Sequence, residues 1–344
     1  MIIPNKREFL ARSMRDAGLL ALLERSARRP GLLVLTYHRL GEPGETTLYA
    51  PVVSATPETF REQLSRLKRT HRVVSLEEAE SLAESGFETR EPLALVTFDD
   101  GTRDHLERAV PVLKDLGLPA AFFVSTALVD APRLPWYDLV SAAVHASRVG
   151  VLRLDRPEPL ELDLQRAGPE AAISRVVRTC LDHDIDVNDE PGFRAHLRER
   201  AEVDLDEDLL ARNLFLGWEG VRALADAGMS VGSHGHTHRM LARLNEQDQR
   251  EELSRSKAEL ESRLSRPERS VAYPYGWPGA FDATTERLAR EAGYALGFAS
   301  VEGFNRPQTT DPLAVRRLGV GFADSPILLR ARAALQTSFG RSFV

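Results

Sequence analysis

Leu93-Ala94-Leu95-Val96-Thr97-Phe98 is a nearly unbroken apolar run. It lacks the in-out alternation of a strand with one wet face, so it predicts a strand covered on both sides, as in parallel sheets. Helical spacing follows over residues 104–116 and closes at Gly117, and Ala120 to Val124 is a second buried strand. Strand, helix, strand in that order predicts a parallel α/β sheet or barrel. The pattern extends both ways. Leu32 to Leu35 is a strand opening at Thr36-Tyr37-His38, and Thr56-Pro57-Glu58 starts a helix carrying Phe60, Leu64 and Leu67. Val73-Val74 and residues 76–83 add a short strand and a helix. Helix 218–227, strand 229–231, helix 247–264, strand 271–273, helix 282–292 and strand 295–299 complete the series.

The alternation lapses between about residues 130 and 213, where helices are expected at 137–147, 170–181 and 192–200, with an acidic run from Asp182 to Glu190. Residues 5–28 read as one helix, broken by Arg29-Pro30-Gly31. The plan is an N-terminal helix over 1–30 and one α/β domain over 31–344, with a helical insertion at about 130–213. The chain carries 45 basic and 51 acidic residues, which gives no electrostatic case for a nucleic-acid partner. Its single cysteine, Cys180, can form no internal disulfide and sits among Val176, Val177 and Leu181 as a small core residue. The apolar stretch Ala17 to Leu23 is bracketed by Arg15, Asp16, Glu24 and Arg25, which fits an amphipathic helix better than a secretory segment. No stretch reaches the ~18 apolar residues of a membrane span. With no signal peptide evident, the expected location is cytoplasmic, with peripheral membrane contact through residues 7–25 as a further expectation.

Two motifs sit just past strands, where parallel folds carry their chemistry. In Thr97-Phe98-Asp99-Asp100-Gly101, two adjacent carboxylates need a cation or a shared proton if both turn inward. One division of labour is a metal ligand beside a general base; the alternative is an Asp-rich turn capping helix 104–116. In His234-Gly235-His236-Thr237-His238, three of the nine histidines fall within five residues. His234 and His238 can share one side of a tight loop, and two histidines plus a carboxylate meet the ligand count of a catalytic zinc site. A His-rich surface loop is the alternative, and His236 could ligate in place of a neighbour.

Together these motifs resemble the polysaccharide deacetylases, also known as the NodB-homology family or carbohydrate esterase family 4, in their exopolysaccharide-type branch. The likeness covers Thr97 to Val124, Trp218-Glu219 to Leu241, Tyr273-Pro274-Tyr275-Gly276, and Leu35-Thr36-Tyr37-His38. It implies a distorted (β/α) barrel, usually seven-stranded, and hydrolysis of an N-acetyl group from an amino sugar, or an O-acetyl group in some members. It implies a divalent metal, zinc first with cobalt, manganese or nickel as alternatives, held by Asp100, His234 and His238, with Asp99 as catalytic base. The expected partner is an acetylated glycan. Pro274 has no amide hydrogen, so Tyr275 offers the first backbone donor for the oxyanion after its strand. Tyr273, Pro274, Trp277 and Trp136 are expected around the substrate, the two tryptophans as exposed stacking surfaces for sugar rings.

Three positions depart from the family pattern. Gly235 stands where a Ser or Thr usually braces the loop. Val271 stands where an Arg usually holds the base, and Arg317 is the proposed substitute from a late strand. No histidine follows His238, so His38, at the end of the first strand, is the proposed general acid. A metal amidohydrolase acting on a non-sugar amide and a glycan-binding pseudoenzyme are the competing readings.

Overall fold

The computed structural model describes residues 6–185 and 190–339, so the acidic run Asp182 to Glu190 lies partly outside the described residues. In chain order the strands are β1 (Gly31–Tyr37), β2 (Arg39–Leu40), β3 (Val53–Ala55), β4 (Arg72–Val73), β5 (Pro92–Phe98), β6 (Ala121–Val124), β7 (Val151–Leu154), β8 (Leu160–Asp163), β9 (Ser230–Ser233), β10 (Ser270–Ala272), β11 (Leu296–Phe298) and β12 (Leu318–Gly319). Seven run parallel in the order β11-β10-β9-β6-β5-β1-β12, and β4 pairs with the first half of β5. This is the distorted seven-stranded (β/α) barrel expected from the sequence. One stretch of chain joins its two edges. Val315 donates to the Gly297 carbonyl at 2.8 Å, and four residues later Gly319 pairs with Thr36 of β1.

The apolar run of β5 reads as continuous because its two faces feed two separate cores. Leu93 and Leu95 pack inside the barrel with Leu32, Val34, Phe123 and Phe298. Ala94, Val96 and Phe98 pack outward against Phe60, Leu64, Leu113 and Leu224 of the surrounding helices. The side-chain period of two then fixes what comes next. Register pairs Leu32 with Leu93, Val34 with Leu95 and Thr36 with Thr97. Continuing both inward rows by one step puts His38 and Asp99 at the same level on the inner face.

Compact packing divides the chain into two units. The first comprises 1–41, 52–130 and 216–344 and holds the barrel; the second comprises 42–51 and 131–215. The second contains helices Trp136–Ala146, Pro169–Asp182, Glu190–Ala201 and Glu207–Leu214, and an antiparallel β7–β8 hairpin absent from the sequence reading. Cys180 is buried in this unit, as expected.

Two helices differ from expectation. The single helix over 5–28 is two, Lys6–Asp16 and Leu19–Ser26, because Gly18 adopts a left-handed φ of 73° that no helix interior tolerates. The helix over 104–116 begins as a π-turn, His105–Ala109, before Val110–Leu116. Pro111 explains it, since its ring lacks the amide hydrogen for an ordinary turn and clashes with the carbonyl four residues back. Among the described residues no helix is long and apolar enough to cross a membrane.

Candidate active site

The site forms at the C-terminal strand edge. Asp99 and Asp100 follow β5, His234 and His238 follow β9, and Tyr273 to Trp277 follow β10. Three backbones there are left-handed without being glycine: Asp100 at φ 80°, His238 at 60° and Tyr275 at 60°. Such conformations are disfavoured for L-residues and gather where function fixes geometry. Gly101, at φ 75°, has no substitute, because a Cβ there would lie 2.9 Å from Val124 Cγ1.

Asp100, His234 and His238 bring one ligand atom each within 4.8 Å of one another. Asp100 Oδ1 lies 3.5 Å from His234 Nε2 and 3.2 Å from His238 Nε2. A second contact orients the His234 ring. Its Nδ1 sits 2.7 Å from the Ala272 carbonyl, which can only accept, so Nδ1 carries the hydrogen. Its Nε2 is thereby turned toward the Asp100 carboxylate. One imidazole nitrogen anchored on a carbonyl while the other faces a carboxylate is the arrangement in which metal-ligating histidines are commonly held. The donor set, two imidazoles and a carboxylate, fits a divalent transition metal. Burial works against the charge of Asp100, but its contacts with His234 and His238 outweigh this and hold the carboxyl well below its ordinary range.

Asp99 faces a different partner. It is 1 % exposed, and Arg317, also 1 % exposed, grips it with two parallel hydrogen bonds of 2.8 Å. Burial pushes the Asp99 carboxyl up, but Arg317 and then His234 pull it below its ordinary value. Arg317 is itself oriented by the Ala299 carbonyl at 3.2 Å. It enters from the segment that closes the barrel, far in sequence from Val271. Val271 lies in the core, and the guanidinium comes from the opposite sheet edge.

His38 is half-buried and lies within the electrostatic reach of Asp100, Asp99, Arg317 and His234. Burial lowers its pKa, against the pull of the two carboxylates. Its amide donates to Ser54 Oγ at 2.9 Å, and its carbonyl accepts from His105 Nε2 at 2.8 Å. His105 comes from the π-turn and packs against the stacked rings of Phe98 and Phe122.

The histidine loop is held by residues the sequence did not single out. Glu252 Oε2 accepts from the amides of His236 and Thr237 at 2.9 and 2.8 Å, and its other oxygen accepts from the Thr237 hydroxyl. This carboxylate supplies the bracing that Gly235 cannot. The signal was faint: Glu252 adjoins the buried stripe Gln249, Leu253, Ser256 and Leu260 of an otherwise charged helix. Ser125 Oγ donates to the His234 carbonyl, and Thr126 Oγ1 bonds His236 Nδ1, both at 2.8 Å. His236 thus turns toward Thr126 and is outside the three-ligand group.

The aromatic expectations divide. Trp277 is 38 % exposed and packs edge-on against Tyr275 at 5.0 Å, which lies 5.1 Å from His238, so an open ring extends outward from the Asp100–His234–His238 cluster. Pro274 is buried against the histidine loop, its Cγ 3.3 Å from where a Cβ on Gly235 would stand. Tyr273 is a correction. Its side chain is fully buried, its hydroxyl donates to the Leu313 carbonyl at 2.9 Å, and its ring stacks on Phe281, so it is a core residue. Trp136 is a second correction. It is not a surface aromatic but 3 % exposed, because nearly every position of helix Trp136–Ala146 is buried.

The polysaccharide deacetylase family model matches residues 87–297. Among solved structures, the chain is similar to the Streptococcus pyogenes deacetylase PplD, solved with acetate, at 18 % identity and a TM-score of 0.57, covering 87 % of this chain and 96 % of that one. It is similar to IcaB from Ammonifex degensii at 22 % identity and a TM-score of 0.55, covering 89 % and 98 %. The de-N-acetylase from Aggregatibacter actinomycetemcomitans matches at 17 % identity and a TM-score of 0.53, covering 86 % and 96 %. No sequence among curated proteins matches this chain.

Proposed function

The chain belongs to the polysaccharide deacetylase family, and from that premise we propose that it hydrolyses N-acetyl groups from the amino sugars of a polysaccharide, oligosaccharide or lipid-linked glycan with the help of a divalent metal. The observation that carries the reading is the pairing of two unlike half-sites. Asp100, His234 and His238 form a metal-ligand set, and next to it Asp99 is kept ionised by Arg317. Zinc is the first candidate for the metal, with cobalt, manganese or nickel as alternatives. The metal would polarise the acetyl carbonyl and acidify water at neutral pH.

The chain's own residues supply the rest. Asp99 takes the proton from the attacking water, and Arg317 keeps its carboxylate aimed and charged. The Tyr275 amide serves the developing oxyanion. His38, at the same strand level as Asp99, delivers a proton to the departing amine. Acetate and a free amino sugar result, and one water is consumed. Trp277 offers its open ring as a platform for the sugar. Val271, standing where the family usually has an Arg, is the departure that favours a binding-only protein. Arg317 supplies that guanidinium from the segment before β12, which favours the enzyme.

The test is acetate release from a panel of N-acetylated oligosaccharides, with and without chelator, for the native chain and Asp99→Asn. Chelator-sensitive release that Asp99→Asn abolishes is expected. Absence of chelator-sensitive release on every substrate would refute the proposal.

A further inference from the structure

The exposed apolar side chains of this chain are concentrated. Of seven large hydrophobic residues exposed among the described residues, Phe9, Leu10, Leu19 and Leu22 lie in the two N-terminal helices. Phe322 lines the same surface hollow as Phe9. Phe9 and Leu22 are 65 % and 66 % exposed. The core does not use them. The helices pack inward through Ala11 and Leu20 against Leu328 and Ala331 of helix Pro326–Phe339. Polar contacts fix that arrangement, with the Ser325 hydroxyl donating to Glu8 and Arg330 gripping Glu24 through two 2.7 Å bonds. Apolar side chains are thus held outward on a docked pair of helices, and exposed apolar side chains gathered on one element of the fold mark an interaction surface.

Charge says what it meets. Residues 6–29 carry seven basic side chains and three acidic ones, a local balance of +4 in a chain of net −6, which leaves −10 for the rest. Arg7, Arg12, Arg15 and Arg25 are all exposed beside the apolar residues. Apolar side chains interleaved with arginines suit the headgroup boundary of an anionic bilayer, where one set enters the acyl region and the other meets lipid charge. Phe322 adds direction, since it follows β12 off the same strand edge that carries Asp99.

We propose that the two N-terminal helices, with Phe322, dock this protein on an anionic lipid surface. The inference is independent of deacetylation. It is tested on the full chain by co-sedimentation with vesicles of phosphatidylcholine, with or without about 30 % phosphatidylglycerol. The expected result is sedimentation with the anionic vesicles, weakened by raising salt from about 0.1 to 0.5 M. Phe9→Ser/Leu22→Ser should bind at least about tenfold more weakly, with unchanged circular dichroism and unchanged acetate release from a soluble substrate. Absence of binding to anionic vesicles, or equal binding by the variant, would overturn the proposal. So would a dimer by light scattering that the variant dissolves, because the face would then belong to a second copy.

Discussion

Replacing Arg317 by Met isolates the physics on which the Asp99 carboxylate depends. Arg317 and Asp99 have side chains 0 % and 2 % exposed, so neither charge is shared with water. Removing one partner of a buried pair strands the other and typically costs about 3–5 kcal/mol. Met fills most of the volume, so little of that loss comes from a cavity. The pH dependence carries a sign. In the native chain the Asp99 carboxyl lies below its ordinary value, so its contribution is present above the ordinary carboxylate range and is lost as pH falls through the lower folded value. Without Arg317, burial is the largest remaining influence and drives the carboxyl upward. The folded variant then holds a proton that the unfolded chain releases, and its stability falls as pH rises. The gap between the two proteins should therefore widen from pH 4 toward pH 7, at up to about 1.4 kcal/mol per pH unit. Urea unfolding of the metal-free proteins, followed by tryptophan fluorescence and extrapolated linearly, measures it. Asp99→Asn/Arg317→Met should recover part of the loss, because no charge is left buried. A cost below about 1 kcal/mol at pH 7, or a gap that does not grow with pH, would refute the picture of a desolvated pair.

Other outcomes follow from the same structure. Glu252→Ala leaves the amides of His236 and Thr237 without their acceptor and should weaken metal binding by about 10- to 100-fold in competition with a chromogenic chelator. His38→Ala should lower kcat with metal content unchanged; unchanged turnover would remove His38 from the mechanism. Burial pushes the Glu268 carboxyl up to about 8, so the folded state keeps a proton that the unfolded chain loses near pH 4, and stability declines as pH rises from there to about 8. Glu268→Gln should match the native melting temperature near pH 4 and exceed it near pH 8. Cys180 is fully buried and its thiol is pushed up to about 12, so Ellman's reagent should react with it only after denaturant is added.

Much of this protein is written locally. The β5 run, the caps at Thr56 and Gly117 and the strand-helix order depend on side-chain period and backbone preference within a few residues. Asp99, Asp100, His234 and His238 were legible because each pair is close in sequence and follows a strand, and a parallel sheet gathers strand ends at one edge. The boundaries that failed did so for identifiable reasons. Gly18 split a helix whose apolar pattern runs straight through it, and Pro111 widened a turn that periodicity reads as regular. The short, two-sidedly half-polar strands of the β7–β8 hairpin offered no apolar run to detect.

What the sequence by itself determined is therefore the parallel fold and the gathering of Asp100, His234 and His238 at one strand edge, since both rest on contacts between near neighbours and on strand order. The other half belongs to tertiary structure. Arg317 meets Asp99 across 218 positions only because the barrel closes through the segment before β12. Glu252 reaches the histidine loop only when its helix docks beside β9, and Tyr273 and Trp136 lie inside because packing chose their faces. Long-range pairing of buried charges leaves no local pattern, because the cost of desolvation is set by what surrounds a group in space and not by what adjoins it in the chain.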